Sequence, residues 1–134
     1  MKLVELLPWV AGAVAFVTFT LIARGTMSTV RQVWIFPGIL SVLFFAWSFS
    51  ALIIEGPTGF WTEHTRNMWG NQIWFDLLIA VGIAWYLIIP RAKKLGMSNL
   101  LWLSIIVCTG CIGLLAMLAL ILFLENQEKR IKSG

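Results

Sequence analysis

The chain contains few charged residues. Lysine, arginine, aspartate and glutamate make up 12% of its 134 residues, whereas hydrophobic residues make up 60% and the mean hydropathy is +0.89. A typical soluble domain carries about 25% charged residues, so this composition excludes an ordinary soluble domain. The net charge of +4 does not indicate nucleic acid, because the cations flank apolar runs, where they anchor helix ends and meet anionic headgroups.

Histidine and cysteine are also scarce, with one and two copies. One histidine cannot supply both axial ligands of a bis-histidine haem, and two cysteines alone do not close a zinc site. We therefore expect no metal centre, and the sequence names no cofactor. It contains no phosphate-binding loop, serine-nucleophile motif or channel filter. The middle of each apolar run is free of charge, which argues against an ion pump or a proton-coupled transporter.

What the chain does contain is long apolar runs. There are four, at Leu6–Ala23, Val33–Ile54, Ile73–Ile89 and Leu100–Leu124. A bilayer core about 30 Å thick requires about 20 apolar residues per helix, and the runs lie at or near that length. The sequence therefore predicts an all-α fold: a four-helix bundle in the membrane, with residues 1–134 as a single transmembrane domain. Pro37 should kink the second helix or mark its true start.

One long polar segment lies between the second and third apolar runs, the 55–72 loop, with Asp76 just beyond it. Thr58 or Thr62 could cap a short helix there. At helical spacing, one face of the segment carries the apolar and aromatic residues Phe60, Trp61, His64, Met68 and Trp69. The pattern predicts a short amphipathic helix at the membrane interface, and Asn71 is expected to cap the third spanning helix.

The same segment could form an acid–base site. Imidazole ordinarily titrates near neutral pH, which suits proton transfer, and His64 is the only histidine. If the loop folds back, Glu55 and Asp76 would join it at the mouth of one pocket. The candidate catalytic residues are Glu63, His64 and Asp76, and the candidate binding residues are Glu55, Trp61, Arg66, Trp69 and Trp74. The alternative is that the segment only anchors the loop in the headgroups.

The fourth run contains a Cys108-Thr-Gly-Cys111 motif. Such pairs can be redox-active, and quinone-linked disulfide enzymes are also small four-helix membrane proteins. Two observations favour a packing role instead. The pair lies two to three turns inside an apolar run, where a thiolate is disfavoured. Ser104, Cys108 and Cys111 also form one stripe at helical spacing, as expected for a face that packs against another helix.

The distribution of lysine and arginine only slightly favours one orientation of the chain in the membrane. The 24–32 and 91–99 loops carry five lysines and arginines, and the opposite side also carries five if the chain crosses the membrane four times. The two loops are short and contain no acids, which favours a cytoplasmic position. We therefore expect both termini to lie outside.

Residues 70–124 resemble a family of small, uncharacterised bacterial multi-span membrane proteins. The similarity rests on Phe75-Asp76-Leu-Leu-Ile-Ala, then Trp85, then the basic turn Arg91-Ala-Lys-Lys-Leu-Gly-Met97 before a long apolar helix. The resemblance implies a multi-span fold and a bacterial inner membrane. It implies no activity.

Four spans in so short a chain leave almost no extramembrane domain, and their faces are apolar and rich in small residues, which suits packing against helices or flat ligands. We therefore expect an accessory, assembly or lipid- and pigment-contacting subunit of a larger membrane complex. Its partners would be the bilayer and other membrane proteins or an apolar ligand, with no nucleic acid. One alternative is an enzyme that acts on an isoprenoid, sterol-like or lipid substrate through Glu63, His64 and Asp76. Another is a thiol–quinone redox protein that uses Cys108 and Cys111.

Overall fold

In the computed structural model, the chain is helical. The structure describes residues 3–25 and 32–133; Lys2 and Arg31, which entered the cation count, lie outside them. Within these ranges there are six helices and no strand, and the helices are α1 (Leu3–Ala23), α2 (Ile35–Glu55), α3 (Gly59–Thr65), α4 (Met68–Lys94), α5 (Asn99–Thr109) and α6 (Cys111–Ser133). The prediction of an all-α fold is confirmed for the described residues.

Four of these helices, α1, α2, α4 and α6, are long and apolar enough to cross a membrane. Most of their large hydrophobic side chains are exposed. Such a surface is a liability in water but matches the hydrocarbon of a bilayer. The structure is therefore compatible with an integral membrane protein.

The chain divides into two compact units, residues 1–33 and residues 34–134, the second called here the main unit. The first unit contains α1, which includes Pro8 in its N-terminal part and ends at Ala23. The next residues, Arg24 and Gly25, form a turn, and Gly25 adopts a φ of +71°. This is the end that the sequence predicts for the first helix, because glycine adopts the left-handed conformation without steric cost.

The starts of α2 and α4 test two predictions: that Pro37 kinks or begins the second helix, and that Asn71 caps the third spanning helix. Pro37 lies in the first turn of α2, so it marks the start of the helix. The predicted cap of the third spanning helix, Asn71, is wrong by about one turn. Asn67 is the N-cap of α4, and its side chain accepts a hydrogen bond from the backbone N–H of Gly70 at 2.8 Å. As a result α4 begins at Met68 and takes in part of the predicted loop helix.

The predicted fourth span over residues 100–124 is not one helix. It is divided at Gly110, where α5 ends and α6 begins. Gly110 has φ +60° and ψ −128°, a conformation that side-chain-bearing residues rarely adopt. A glycine within an apolar run commonly allows close helix packing. Here it changes the direction of the chain.

A small core joins α4, α5 and α6. It consists of Ile88, Ala92, Ile106, Met117 and Ile121, of which Ala92, Met117 and Ile121 have no exposed surface. Close to this core the Arg91 guanidinium donates two hydrogen bonds to the Glu125 carboxylate, from Nε to Oε1 at 2.8 Å and from Nη2 to Oε2 at 2.7 Å. We call this region the basic end of the main unit.

The α2 helix packs along α6. Trp34 and Phe123 meet edge to face with 5.2 Å between ring centroids. Further along, the buried Ser41 hydroxyl donates a hydrogen bond to the carbonyl oxygen of Ile112 at 2.9 Å. Residue numbers increase along α2 while those of their partners decrease along α6, so the two helices run antiparallel.

Candidate functional site

An aromatic cluster forms where α3 lies against α4. The Phe60 ring lies 5.9 Å from the His64 ring and 6.0 Å from the Trp74 ring, and His64 and Trp74 are 5.0 Å apart and nearly perpendicular. Edge-to-face contacts of this kind stabilise aromatic pairs beyond their buried area. The cluster defines the aromatic end of the main unit.

Gly70 allows α3 to approach the first turn of α4. A Cβ atom at this position would collide with the carbonyl oxygens of Glu63 and His64. Together with the Asn67 cap, this glycine brings the end of α3 against α4 and so places His64 beside Trp74. The sequence predicted neither role, because neither residue lies in the expected helix face.

His64 is half-buried in this cluster. Its Nδ1–H donates to the backbone carbonyl oxygen of Phe60, four residues earlier in α3. Because a carbonyl oxygen only accepts hydrogen bonds, Nδ1 carries a proton in this arrangement. In the neutral imidazole, Nε2 is then the atom that can accept a proton or a hydrogen bond from a ligand.

Beneath the cluster lies a cavity of about 540 Å³. It is bounded by α3, α4 and α5, and no charged side chain lines it. Three aromatic rings contribute to its wall, from Phe60, Trp74 and Trp85. The remaining lining residues are mostly aliphatic or small, namely Leu77, Leu78, Val81, Gly82, Leu103, Ile106, Val107, Cys108 and Gly110.

A second cavity, of about 430 Å³, lies on the α2 side. It shares Phe60, Trp74, Leu77, Cys108 and Gly110 with the first, so the two adjoin. It also has polar groups in its wall, from His64, Ser48 and Thr109. The two cavities together give a largely apolar space with polar side chains on one side.

The candidate acids do not converge on this space. Glu63 is exposed and pairs with Arg66 of its own segment at 3.2 Å. Asp76 is exposed and accepts a hydrogen bond from Gln72 of its own helix at 3.3 Å. Neither these residues nor Glu55 line either of the two cavities, whereas His64 lines the second. The catalytic role proposed for Glu63 and Asp76 stays a prediction without support from the geometry.

Of the expected binding residues, one lines the cavities and the others do not. Trp74 lines both cavities. Trp61, Arg66 and Trp69 are exposed and line neither. The predicted helix face is also divided, because α3 ends at Thr65 and Trp69 belongs to α4. Thr58 is the N-cap of α3, although its side chain makes no capping hydrogen bond.

The two cysteines lie at the junction of α5 and α6, next to the cavities. Cys108 is exposed and lines both cavities, and Cys111 is half-buried and lines the second; both are free thiols. The predicted stripe of Ser104, Cys108 and Cys111 is wrong as a feature of one helix, because Gly110 interrupts it. Among the residues described, no three His, Cys, Asp or Glu side chains form a group that could hold a metal ion.

Sequence reasoning missed most of the cavity wall. Gly82, Trp85, Leu103 and Val107 lie in apolar runs, where residue type alone does not mark them as part of a site. Only the pairing of α4 with α5 brings them to one space. The position of Gly82 is informative here, because a Cβ atom there would meet no neighbour within 4 Å.

Comparison with known proteins finds no matching family model, curated protein or solved structure. The resemblance of residues 70–124 to small bacterial membrane proteins therefore stays a prediction.

Proposed function

We propose that this protein is a small integral membrane protein whose adjoining cavities hold a flat, largely apolar ring compound with an isoprenoid tail, a class that includes quinones and many pigments. It would do so as an accessory subunit of a larger membrane complex. The observation that carries the proposal is the 540 Å³ cavity, with three aromatic rings and no charged side chain in its wall.

The dimensions and chemistry of the cavities suit such a ligand. Small-molecule sites commonly measure about 300–1,000 Å³, with mostly apolar walls and a few polar groups that fix orientation. Here the rings of Phe60, Trp74 and Trp85 offer edges and faces for a flat ring. His64, Ser48 and Thr109 line the second cavity and offer hydrogen-bonding groups to ring oxygens.

The proposed setting is the bacterial inner membrane, which the family resemblance implies. A helical bundle of the main unit in the membrane and the interfacial position of α3 are part of this proposal. Exposed Trp61 in α3 and exposed Trp69 in the first turn of α4 support the position of α3, since tryptophan prefers the level of the headgroups.

Filling the larger cavity tests the proposal. Gly82→Leu places a side chain in open space within the cavity wall. A benzoquinone with a ten-carbon tail serves as the probe, and binding is measured by quenching of tryptophan fluorescence in detergent. We expect at least a tenfold loss of affinity in the variant, because the added side chain occupies the ring site.

Gly12→Leu is the matched control. A Cβ atom at Gly12 also meets nothing within 4 Å, and this glycine lies in α1, outside both cavities. The control should bind the probe as the unaltered protein does. Equal binding by both variants would count against a ligand site in this cavity.

The accessory-subunit part is tested separately by native gel electrophoresis after extraction from membranes in mild detergent. Migration with a larger complex supports it. A free protein without a partner would contradict this part and leave the ligand site untouched.

A thiol–quinone redox function is the second candidate. It is favoured by the position of Cys108 and Cys111, which line the second cavity together with His64. In such a reaction the two thiols lose two electrons and two protons to form a disulfide, and the quinone gains both to become a quinol. Thiol trapping in membranes with an oxidised or a reduced quinone pool tests this. Cysteines whose oxidation state never changes would remove it.

The acid–base alternative has less support, because of its three candidate residues only His64 lines one of the two cavities described. Glu63→Gln and Asp76→Asn test it in any turnover assay. Unchanged turnover in both variants would end that alternative.

A further inference from the structure

We infer that α5 and α6 form a re-entrant hairpin, which enters and leaves the bilayer on the same face, and that this face is the cytoplasmic one. The chain would then cross the membrane three times, through α1, α2 and α4. The segment after Glu125 would emerge beside the 95–98 turn.

The contact between Arg91 and Glu125 carries this inference. Helix α5 begins at Asn99, eight residues after Arg91. If residues 99–125 formed one straight helix, Glu125 would lie about 39 Å from the start of α5, at 1.5 Å per residue. Instead its carboxylate accepts two hydrogen bonds from Arg91 at 2.7 and 2.8 Å. The chain must therefore reverse between these positions.

The helix lengths account for the return. The eleven residues of α5 advance about 16 Å, and the fourteen residues from Cys111 to Leu124 come back about 21 Å. The apolar part of α6 is thus too short to cross a bilayer core of about 30 Å. Although α6 as a whole is long enough to span, its last turns are polar, from Glu125 onward.

The packing of α6 against α2 independently shows that α6 runs back toward the basic end. Phe123 lies against Trp34, just before the first residue of α2, and Ile112 lies beside Ser41 inside that helix. The start of α6 is therefore deeper along α2 than its later part. The path from Cys111 leads back to the end at which α2 begins.

Several backbone groups at the reversal are hydrogen-bonded by residues of the turn itself, which an apolar region favours. The Thr109 hydroxyl donates to the carbonyl oxygen of Ile105 at 2.7 Å and accepts from the N–H of Gly113 at 3.0 Å. The N–H of Gly110 donates to the carbonyl oxygen of Ile106, and that of Leu114 to the carbonyl oxygen of Gly110. These hydrogen bonds stabilise the turn.

The distribution of lysine and arginine indicates on which face of the bilayer the basic end lies. Within residues 32–133, one cation, Arg66, belongs to the aromatic end. Six belong to the basic end once the hairpin returns there, namely Arg91, Lys93, Lys94, Lys129, Arg130 and Lys132. Short segments rich in lysine and arginine stay in the cytoplasm. With four crossings the C-terminal cations would count for the opposite side, and the two sides would then carry five cations each.

Cysteine labelling tests both parts of the inference. In a background with Cys108→Ser and Cys111→Ser, single cysteines are placed at Thr62→Cys, Ser98→Cys and Ser133→Cys, all of which preserve charge. A membrane-impermeant maleimide is applied to intact cells and to inverted vesicles. We expect Thr62→Cys to react in intact cells, and the other two variants to react only in inverted vesicles.

Two results would overturn the inference. If Ser133→Cys reacts on the same face as Thr62→Cys and opposite to Ser98→Cys, α5 and α6 cross the membrane and there is no hairpin. If Ser98→Cys and Ser133→Cys both react in intact cells, the basic end is outside and the orientation is wrong. Because the readout requires no ligand, it is independent of the proposed ring-binding function.

Discussion

The two ends of the main unit are packed differently. At the basic end, Ala92, Met117 and Ile121 have no exposed surface, and Arg91 and Glu125 join α4 to α6. At the aromatic end the helices leave two adjoining cavities, and α3 covers them with Phe60 and His64. The main unit is therefore closely packed at one end and open at the other.

The energetic basis of this contrast differs from that in water. Lipid tails are as apolar as leucine, so burial between helices gains little from the hydrophobic effect. Close packing and hydrogen bonds therefore determine how stably the helices associate. Substitutions at the basic end should therefore change stability. Substitutions at the aromatic end should change binding more than stability. The following predictions test this difference in order of decreasing effect, with unfolding measured by titration with a denaturing detergent.

Met117→Ala should have the largest effect. The side chain is fully buried, and its loss leaves a cavity that the neighbouring helices fill only in part. We expect a loss of about 2–3 kcal/mol in the free energy of unfolding, the lower part of the range for core truncations. Leu78→Ala is the control, since Leu78 lines the open cavity and is 49% exposed. It should lose less than about 1 kcal/mol, and equal losses would contradict the contrast.

Gly113→Ala should destabilise by about 1–3 kcal/mol, as overpacking does. The new Cβ atom would lie 2.6 Å from the Thr109 hydroxyl oxygen and 3.0 Å from a methyl carbon of Ile105, so α5 and α6 would have to separate. Gly82→Ala in the cavity wall meets nothing and is the control. It should be neutral or stabilise by up to about 1 kcal/mol, because alanine favours a helix more than glycine does. Comparable losses at both glycines would argue against a close contact at the reversal.

The Arg91–Glu125 pair should contribute about 1 kcal/mol of coupling in a double-mutant cycle with Arg91→Gln and Glu125→Gln. The pair is bidentate, but both side chains keep about a third of their surface exposed, so solvent reduces the value. The Glu63–Arg66 pair is the matched control, with side chains 60% and 68% exposed. Its coupling should be about 0.2–0.5 kcal/mol. A coupling no larger in the first pair would show that it does not hold α6 to α4.

Ser41→Ala should have the smallest effect, about 0.6 kcal/mol, which is typical of a hydrogen bond between helices in a membrane. The hydroxyl of Ser41 is buried and donates across to α6. Ser50→Ala is the control, since the Ser50 hydroxyl donates only to Ala46 of its own helix. It should change nothing measurable. A larger loss at Ser50 than at Ser41 would reverse the expected ranking of the two hydrogen bonds.

Sequence reasoning succeeded where one residue type decides a local outcome. Arg24-Gly25 ended α1 and Pro37 marked the start of α2, because glycine and proline restrict the backbone by themselves. It was less accurate where two residues of equal propensity compete. Asn67 and Asn71 are both good N-cap residues. The cap of α4 is Asn67, the earlier of the two in the chain, and α3 lies close to α4 at Gly70.

The candidate site was predictable only in part. His64, Trp74 and the two cysteines were identified by residue type, and all four line the cavities. That they share one space was not predictable, because it depends on α3 packing on α4 and on the reversal at Gly110. The exposure of Glu63 and Asp76 was not predictable either, since residue type does not reveal it.

By itself, the sequence determined which segments are apolar enough for a bilayer, since that property is the sum of single-residue transfer energies along a run. The tertiary structure decided the course of the fourth run. A glycine in an apolar helix is compatible with both a straight span and a reversal, and the choice depends on contacts between residues far apart in the chain. The hydrogen bonds from Arg91 to Glu125 and from Ser41 to Ile112 make that choice here.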